Sequence, residues 1–382
     1  MFELIDSIKN EVVDMRKYLH QIPELGFQEV KTSKYIKERL ESLGFELEVV
    51  AGTGIVAFKK GTSSEKAIAF RSDIDGLRVK EETGLPFASK EENHMHACGH
   101  DGHMSILLGF ATFIASLPSI KRDIVLIFQP AEEGPGGAEV IVKEGILKKY
   151  NVESIFGLHI LPDIEEGKIG INYGPIMAQC GEIEILIEGK GGHGAMPHTS
   201  IDTIYVTSQL ISSYQSIVSR NIEPIEGAVL TIGKINGGEA KNVIAEEVKI
   251  EGTIRAYRPE VYNTIKSRIQ EINSGIEKMF GVKITTNVID MYPAVNNDYD
   301  LFNIMKEALD EDEIHILKPM MIAEDFSYYQ QEIPGFFFML GSRNEKLNYI
   351  YPLHHCKFNF SDEVLGHGVK TYIKIANKLG II

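Results

Sequence analysis

Along this chain the spacing of apolar residues switches between helical and strand periods, then changes character for a stretch of the middle, then returns. A chain patterned this way builds one layered α/β domain interrupted by another. Residues 4–19 and 30–43 carry apolar side chains at helical spacing, and Gly44 ends the second run. Residues 45–50, 55–59 and 67–72 read as strands, and 104–117 as a helix stopped by Pro118. Residues 124–129 form an apolar, β-branched run of the kind buried on both faces of a sheet. A further helix starts at Gly137, and a further strand runs over 154–159. The alternation predicts an α/β domain with a largely parallel sheet.

The middle reads differently. Residues 182–188 alternate polar and apolar, 203–220 form a long helix, and 228–235 and 248–256 are strands around a Gly237-Gly238 turn. A second long helix over 259–280 and a strand over 282–290 complete a β-α-β-β-α-β order. This predicts a ferredoxin-like α+β insert over 180–291, within an α/β domain made of 1–179 and 292–382. The C-terminal part resumes the first pattern, with helices over 301–309 and 363–379 and a buried strand over 335–340. A length of 382 residues suits two or three such domains.

Charge excludes several partners. The formal net charge is −15, and there is no long run of Lys and Arg, so neither nucleic acid nor an anionic membrane is an expected partner. The longest apolar runs are far too short to span a bilayer, and the first 25 residues lack the apolar stretch of a signal peptide. Three widely spaced cysteines, Cys98, Cys180 and Cys356, form no disulfide framework. The expectation is a soluble, cytoplasmic protein.

Chemistry concentrates in residues 94–103, H-M-H-A-C-G-H-D-G-H, which hold four of the twelve histidines and one of the three cysteines. Imidazole, thiolate and carboxylate together suit zinc, manganese, cobalt or nickel. A solvent-exposed His-rich loop has the same composition. A second segment, F-Q-P-A-E-E-G at 128–134, follows the apolar strand directly, at the carboxyl end where open α/β sheets place their ligands. Two adjacent carboxylates there repel unless something positive holds them. His159 ends another apolar strand, and His354 and His355 lie near the C-terminus. A lone His at a strand end is more often structural; the argument needs all four segments to converge.

Together these motifs resemble the dimetal aminoacylase/carboxypeptidase family, in its branch of hippurate hydrolases, auxin-conjugate hydrolases and N-acetyldiaminopimelate deacetylases. The matching segments are I-P-E-L-G-F-Q-E at 22–29, R-S-D-I-D-G-L at 71–77, M-H-A-C-G-H-D at 95–101 and F-Q-P-A-E-E-G-P-G-G-A at 128–138. Further along come G-L-H-I at 157–160, G-K-G-G-H-G-A-M-P-H at 189–198, G-T-I-R at 252–255, A-E-D-F at 323–326 and L-H-H at 353–355. They cover nearly the whole chain in order, and within the branch the 128–138 run and the L-H-H ending look most like the deacetylases, which act on the bacterial route to lysine.

The resemblance implies an amidohydrolase that cuts the amide bond of a small N-acylated amino acid with two divalent metal ions. Cys98, His100, Glu133, His159 and His354 would be the metal ligands, with Cys98 bridging. Glu132 would be the general acid/base, taking a proton from the attacking water and delivering one to the leaving amine. His193, reaching across from a second subunit, would stabilise the oxyanion, and Asn242 and Arg255 would contact substrate, Arg255 through its carboxylate. The insert would then pair subunits into a homodimer and close over the site about hinges near 176–182 and 286–294. Many relatives carry a metal-binding His where this chain has Arg71, so no ligand is assigned there, and Asp73 is an outer-shell candidate only. His94, His96 and His103 are not carried over as ligands, and His198 stays an open substrate contact. Two rival readings use the same residues: a thiol hydrolase with Cys98 as nucleophile, and a catalytically silent dimeric homologue that only binds.

Overall fold

A computed structural model describes residues 2–63 and 66–382. The chain divides into two compact units. The first comprises Met1–Gly174, Asn296–Lys318 and Asp325–Ile382; the second comprises Pro175–Val295 and Pro319–Glu324.

The first unit is built on an eight-stranded mixed sheet. Its early strands are β1 (Glu46–Val50), β2 (Gly54–Lys59), β3 (Ala67–Asp73), β4 (Ile124–Gln129), β5 (Val152–Glu165) and β6 (Ile169–Ile171). The spatial order is β1-β2-β4-β3-β5, then Gly335–Arg343, β6 and Ile314–Ile316. The centre is parallel: β3 pairs with β4 and β5, and β5 with Gly335–Arg343, all in parallel. The margin β1-β2-β4 and the pairing of Gly335–Arg343 with β6 are antiparallel. Every residue of β3 and β4 is buried, as expected of strands covered on both faces. The strands β6 and Ile314–Ile316 have three residues each, too few to register as a period in the sequence.

Three helices supply the main apolar cover: α1 (Phe2–His20), α3 (His100–Ser116) and Glu363–Lys378 pack on one another, α3 lying against β3. Between α1 and α3 in the chain runs α2 (Val30–Ser42), started by Glu24, whose carboxylate accepts the Lys31 and Thr32 backbone N–H groups. The α3 helix begins four residues earlier than its apolar spacing predicts. Gly99, in a left-handed conformation (φ +87), turns the chain so that the polar H-D-G-H run becomes the first turn. Fourteen buried residues then make α3 a central core helix.

The second unit carries a four-stranded antiparallel sheet in the order Ala228–Gly237, Glu247–Ala256, Gln179–Glu188, Lys283–Asp290. Helices Thr203–Ser216 and Pro259–Phe280 pack on one another and on the sheet. Ile183, Ile185 and Ile187 point inward from Gln179–Glu188, the third strand in that order, and meet Val206, Leu210, Ile265 and Ile269. The unit extends beyond 180–291 at both ends. Met320 N–H donates to Ile176 O (2.9 Å) and Ala178 N–H to Ile322 O (2.9 Å), so the 319–324 segment runs along 176–178 as part of the same body.

Candidate metal centre

The first turn of α3, the loop after β4, the middle of β5 and the 353–356 loop bring their polar side chains to one place. Cys98 Sγ lies 3.3 Å from His159 Nε2 and 3.3 Å from His354 Nε2. His354 Nε2 lies 3.1 Å from Glu133 Oε1. His100 Nε2 lies 4.0 Å from both Glu132 Oε2 and Glu133 Oε1. Two triads share the sulfur: Cys98, His100 and His159 form one, and Cys98, Glu133 and His354 the other, each with its donor atoms within 4.8 Å.

Each donor is aimed by something behind it. The His100 Nδ1–H donates to Asp75 O (2.8 Å), and the His159 Nδ1–H to Ile160 O (2.7 Å), which leaves both Nε2 lone pairs facing the cluster. His354 N–H donates to Ala97 O at 2.9 Å and the residue takes a left-handed backbone (φ +63). Glu133 N–H donates to Asp75 Oδ2 at 3.0 Å. One residue, Asp75, therefore orients a histidine through its carbonyl and a glutamate through its carboxylate, and sequence reading gave it no part.

Neighbouring histidines have other partners, although His96 Nε2 is buried without a hydrogen bond among the described residues. His103 Nδ1–H donates to Asp73 Oδ1 (2.7 Å), and its Nε2 accepts the Ile160 N–H (2.9 Å), so neither nitrogen is available to an ion. His96 Nδ1–H meets the same Asp75 carbonyl at 3.1 Å. His355 stacks on Tyr351 with ring centroids 4.7 Å apart, and its Nδ1 accepts the Lys357 N–H. Arg71 spans the inner face of the sheet, with Nη1 on Asp73 Oδ2 (2.9 Å), Nη2 on Asp325 Oδ1 (3.0 Å) and Nε on Gln129 Oε1 (2.8 Å).

The electrostatics call for a cation. Burial disfavours a charge on His100, but the Asp73 and Asp75 carboxylates outweigh it and raise its pKa to about 10. Burial, reinforced by the charges of Glu133 and Glu132, pushes the Cys98 thiol well up. Burial depresses His159 to about 3, helped by His103. His100 Nε2 is buried and makes no hydrogen bond among the described residues. Within each triad the donor atoms lie within 4.8 Å of one another, close enough to share one ion. An imidazole, thiol and carboxylate set with an orphaned ring nitrogen fits divalent transition metals. It fits a thiol nucleophile badly, because reactive cysteines sit where the thiolate is favoured and this site disfavours it.

The remaining expected site residues stand in the second unit. His193 pairs with Val243 across a two-residue ladder, and Gly194 N–H donates to Asn242 O (2.8 Å), so His193 and Asn242 are neighbours on one exposed edge. Arg255, on the strand Glu247–Ala256, folds its guanidinium back onto Thr253 Oγ1 and Ile254 O. His198 lies in a short exposed turn, Pro197–Thr199.

The model of peptidase family M20/M25/M40 matches residues 69–378. The chain is 41% identical over 370 residues to the N-acetyldiaminopimelate deacetylase of Listeria monocytogenes serotype 4b, covering 95% of this chain and 98% of that one. It is 43% identical over 355 residues to the N-acetyldiaminopimelate deacetylase of Priestia megaterium, covering 91% and 93%. A dinuclear metal-binding peptidase of family M20 from Bacillus subtilis superposes with a TM-score of 0.87 at 33% identity, covering 99% of this chain and 100% of that one. With four-fifths of its length inside the family match, the chain belongs to peptidase family M20/M25/M40.

Proposed function

We propose that the protein is a dimetal amidohydrolase that removes the acetyl group of N-acetyl-diaminopimelate, a step toward lysine. The observation that carries the chemistry is the pair of donor triads joined at Cys98. It supports one ion held by Cys98, His100 and His159 and a second held by Cys98, Glu133 and His354. Such ions, of zinc, manganese, cobalt or nickel type, supply Lewis acidity to the amide carbonyl and lower the pKa of the attacking water. The substrate assignment follows the two deacetylases that the chain resembles at 41% and 43% identity.

The chain's own groups do the rest. Glu132, next to a ligand but not needed in either triad, takes the proton of the attacking water and returns it to the leaving amine. His193 of the inserted unit donates to the oxyanion, and Asn242 and Arg255 bind substrate, Arg255 matching a carboxylate with its planar fork. The strand order of the inserted unit, with its β-α-β-β-α-β sequence, supports a ferredoxin-like domain. We assign it homodimer pairing and lid closure, with His193 delivered from the partner copy. Cytoplasmic residence is supported by three unpaired cysteines, and no helix among the described residues is long and apolar enough to cross a membrane.

The test is amine release from N-acetyl-diaminopimelate, hippurate and simple N-acetyl amino acids, with protein loaded with manganese, cobalt or zinc and again after chelation. Chelator-sensitive release, greatest with N-acetyl-diaminopimelate, is the expected result. A preference for hippurate would move the protein to the hippurate hydrolases of its family. Metal-loaded protein inert on the whole panel would point to the silent, binding homologue or to an acyl group outside the panel.

A further inference from the structure

The turn over residues 22–29 has no part in the reaction above, yet it lies under the residues that do. Gly26 sits so close to the glutamate loop that a Cβ there would stand 2.6 Å from Gly134 O and 2.9 Å from Ala131 Cβ. Glu29, at the end of the turn, is 0% exposed. Its Oε1 accepts the Ala131 N–H at 2.9 Å, and its Oε2 accepts the Thr53 hydroxyl at 2.6 Å. Ala131 immediately precedes Glu132 and has a φ of +55, a left-handed conformation that a residue with a Cβ adopts reluctantly. Its carbonyl accepts the Gly136 and Gly137 N–H groups at 3.0 and 3.2 Å, closing the loop that displays both glutamates.

We infer that Glu29 is a positioning residue for the reaction: by holding the Ala131 N–H it keeps the chain in the left-handed turn that aims Glu132. The inference rests on Glu132 being the proton carrier proposed above. A buried carboxylate is costly to place even with the Ala131 N–H and the Thr53 hydroxyl donating to it, and here it holds the residue whose conformation fixes the direction of the next side chain. Glu133 has an anchor of its own, the bond from its N–H to Asp75 Oδ2 (3.0 Å). Loss of Glu29 therefore misplaces Glu132 while sparing the metal ligand beside it.

The experiment compares Glu29→Ala, Glu29→Gln and Glu29→Ala/Ala131→Gly with the wild type and with Ala131→Gly, each as metal-loaded full-length protein. Metal content, melting temperature, kcat, KM and amide exchange of the 130–137 loop are read together. In Glu29→Ala the metal content holds, the loop amides exchange faster, and kcat falls about thirty- to hundredfold with KM within about threefold, the scale of a catalytic group displaced by an ångström or so. Glu29→Gln keeps an acceptor for the Ala131 N–H and stays within about threefold of wild type. Glycine adopts left-handed backbone freely, so Ala131→Gly recovers at least about fivefold of the Glu29→Ala loss. The inference is overturned if Glu29→Ala turns over like wild type, if its loss tracks lost metal, if Glu29→Gln is equally impaired, or if glycine recovers nothing. Should Glu29→Ala not fold, Thr53→Ala is the milder form, with a roughly three- to tenfold kcat loss recovered by Ala131→Gly, and no loss overturning the inference. An inactive wild type, or an undiminished Glu132→Gln, overturns the underlying reading and this inference with it, and both are seen without any Glu29 variant.

Discussion

The donor cluster of the first unit and the polar trio of the inserted unit differ most in burial: Cys98, His100 and His159 are buried, whereas His193 and Asn242 are exposed. Around Cys98 three donors have a second atom tied down: His100 to the Asp75 carbonyl, His159 to the Ile160 carbonyl, and Glu133, through its N–H, to the Asp75 carboxylate. In the inserted unit His193 and Asn242 are exposed on short strands and turns, and Arg255 rests on its own strand. Within Pro175–Val295 no charged side chain among the described residues is buried. The first set lies mostly out of solvent; in the second, His193 Nδ1 accepts the Ala195 N–H (3.0 Å), yet His193 and Asn242 stand exposed, so burial rather than anchoring separates the two. Preorganisation out of solvent is what lets a polar cluster do chemistry at low reorganisation cost.

Substitutions separate the two regions. The largest effect is expected from Glu132→Gln, a loss of roughly a hundred- to ten-thousandfold in kcat if Glu132 is the proton carrier we propose. Because Glu132 is outside both triads, metal content measured by mass spectrometry stays at the wild-type level; metal lost along with activity would make Glu132 a ligand instead. Next comes His193→Ala, for which turnover falls about a hundred- to a thousandfold, again with full metal content. Normal turnover in this variant would remove the inserted unit from the chemistry and collapse the contrast. Arg255→Ala is milder and different in kind: KM for an acyl amino acid rises about ten- to hundredfold, the value of one charged hydrogen-bond pair, with kcat much less affected. A pure kcat loss would contradict a binding role.

The smallest effect is one of stability and belongs to the first unit alone. His20 is buried with Nδ1 2.9 Å from Asp101 Oδ2 and Nε2 3.2 Å from Glu81 Oε1, and Arg16 Nε meets the same Asp101 oxygen at 3.1 Å. Burial alone would lower the His20 pKa, but Asp101 and Glu81 more than offset it and raise it from 6.5 to about 9. A pKa raised on folding contributes stability that is complete below the unfolded value and fades as pH climbs to the folded one. The melting-temperature gap between wild type and His20→Gln should therefore narrow between pH 6.5 and about 9. A gap independent of pH across that window would show that His20 is not charged in the fold.

The sequence revealed the donors more readily than their supports. Residues 94–103 and the glutamate pair after an all-buried strand stand out by composition and position, while the choice of Cys98, His100 and Glu133 within them is what the family resemblance implies. The supports escaped because they act through the backbone or across long separations. Asp75 aims His100 through a carbonyl that every residue type possesses, and Glu29 reaches Ala131 across a hundred positions. His103 looks as suitable a ligand as His100 on paper, and only the fold engages both its nitrogens with Asp73 and Ile160. The alternation of helix and strand periods located the central elements, but Gly99's left-handed turn moved the start of α3 back over the histidines, which no apolar period records. The antiparallel margin of the sheet was missed because β1 and β2 differ from parallel strands in direction, not in residue type.

Cobalt titration of metal-free protein tests the central claim most directly, since cobalt reports both its stoichiometry and a thiolate ligand through its absorption. Two equivalents per chain should bind, with a thiolate-to-cobalt charge-transfer band that disappears in Cys98→Ser. Saturation at one equivalent, or a spectrum with no thiolate band, would contradict two ions joined at Cys98.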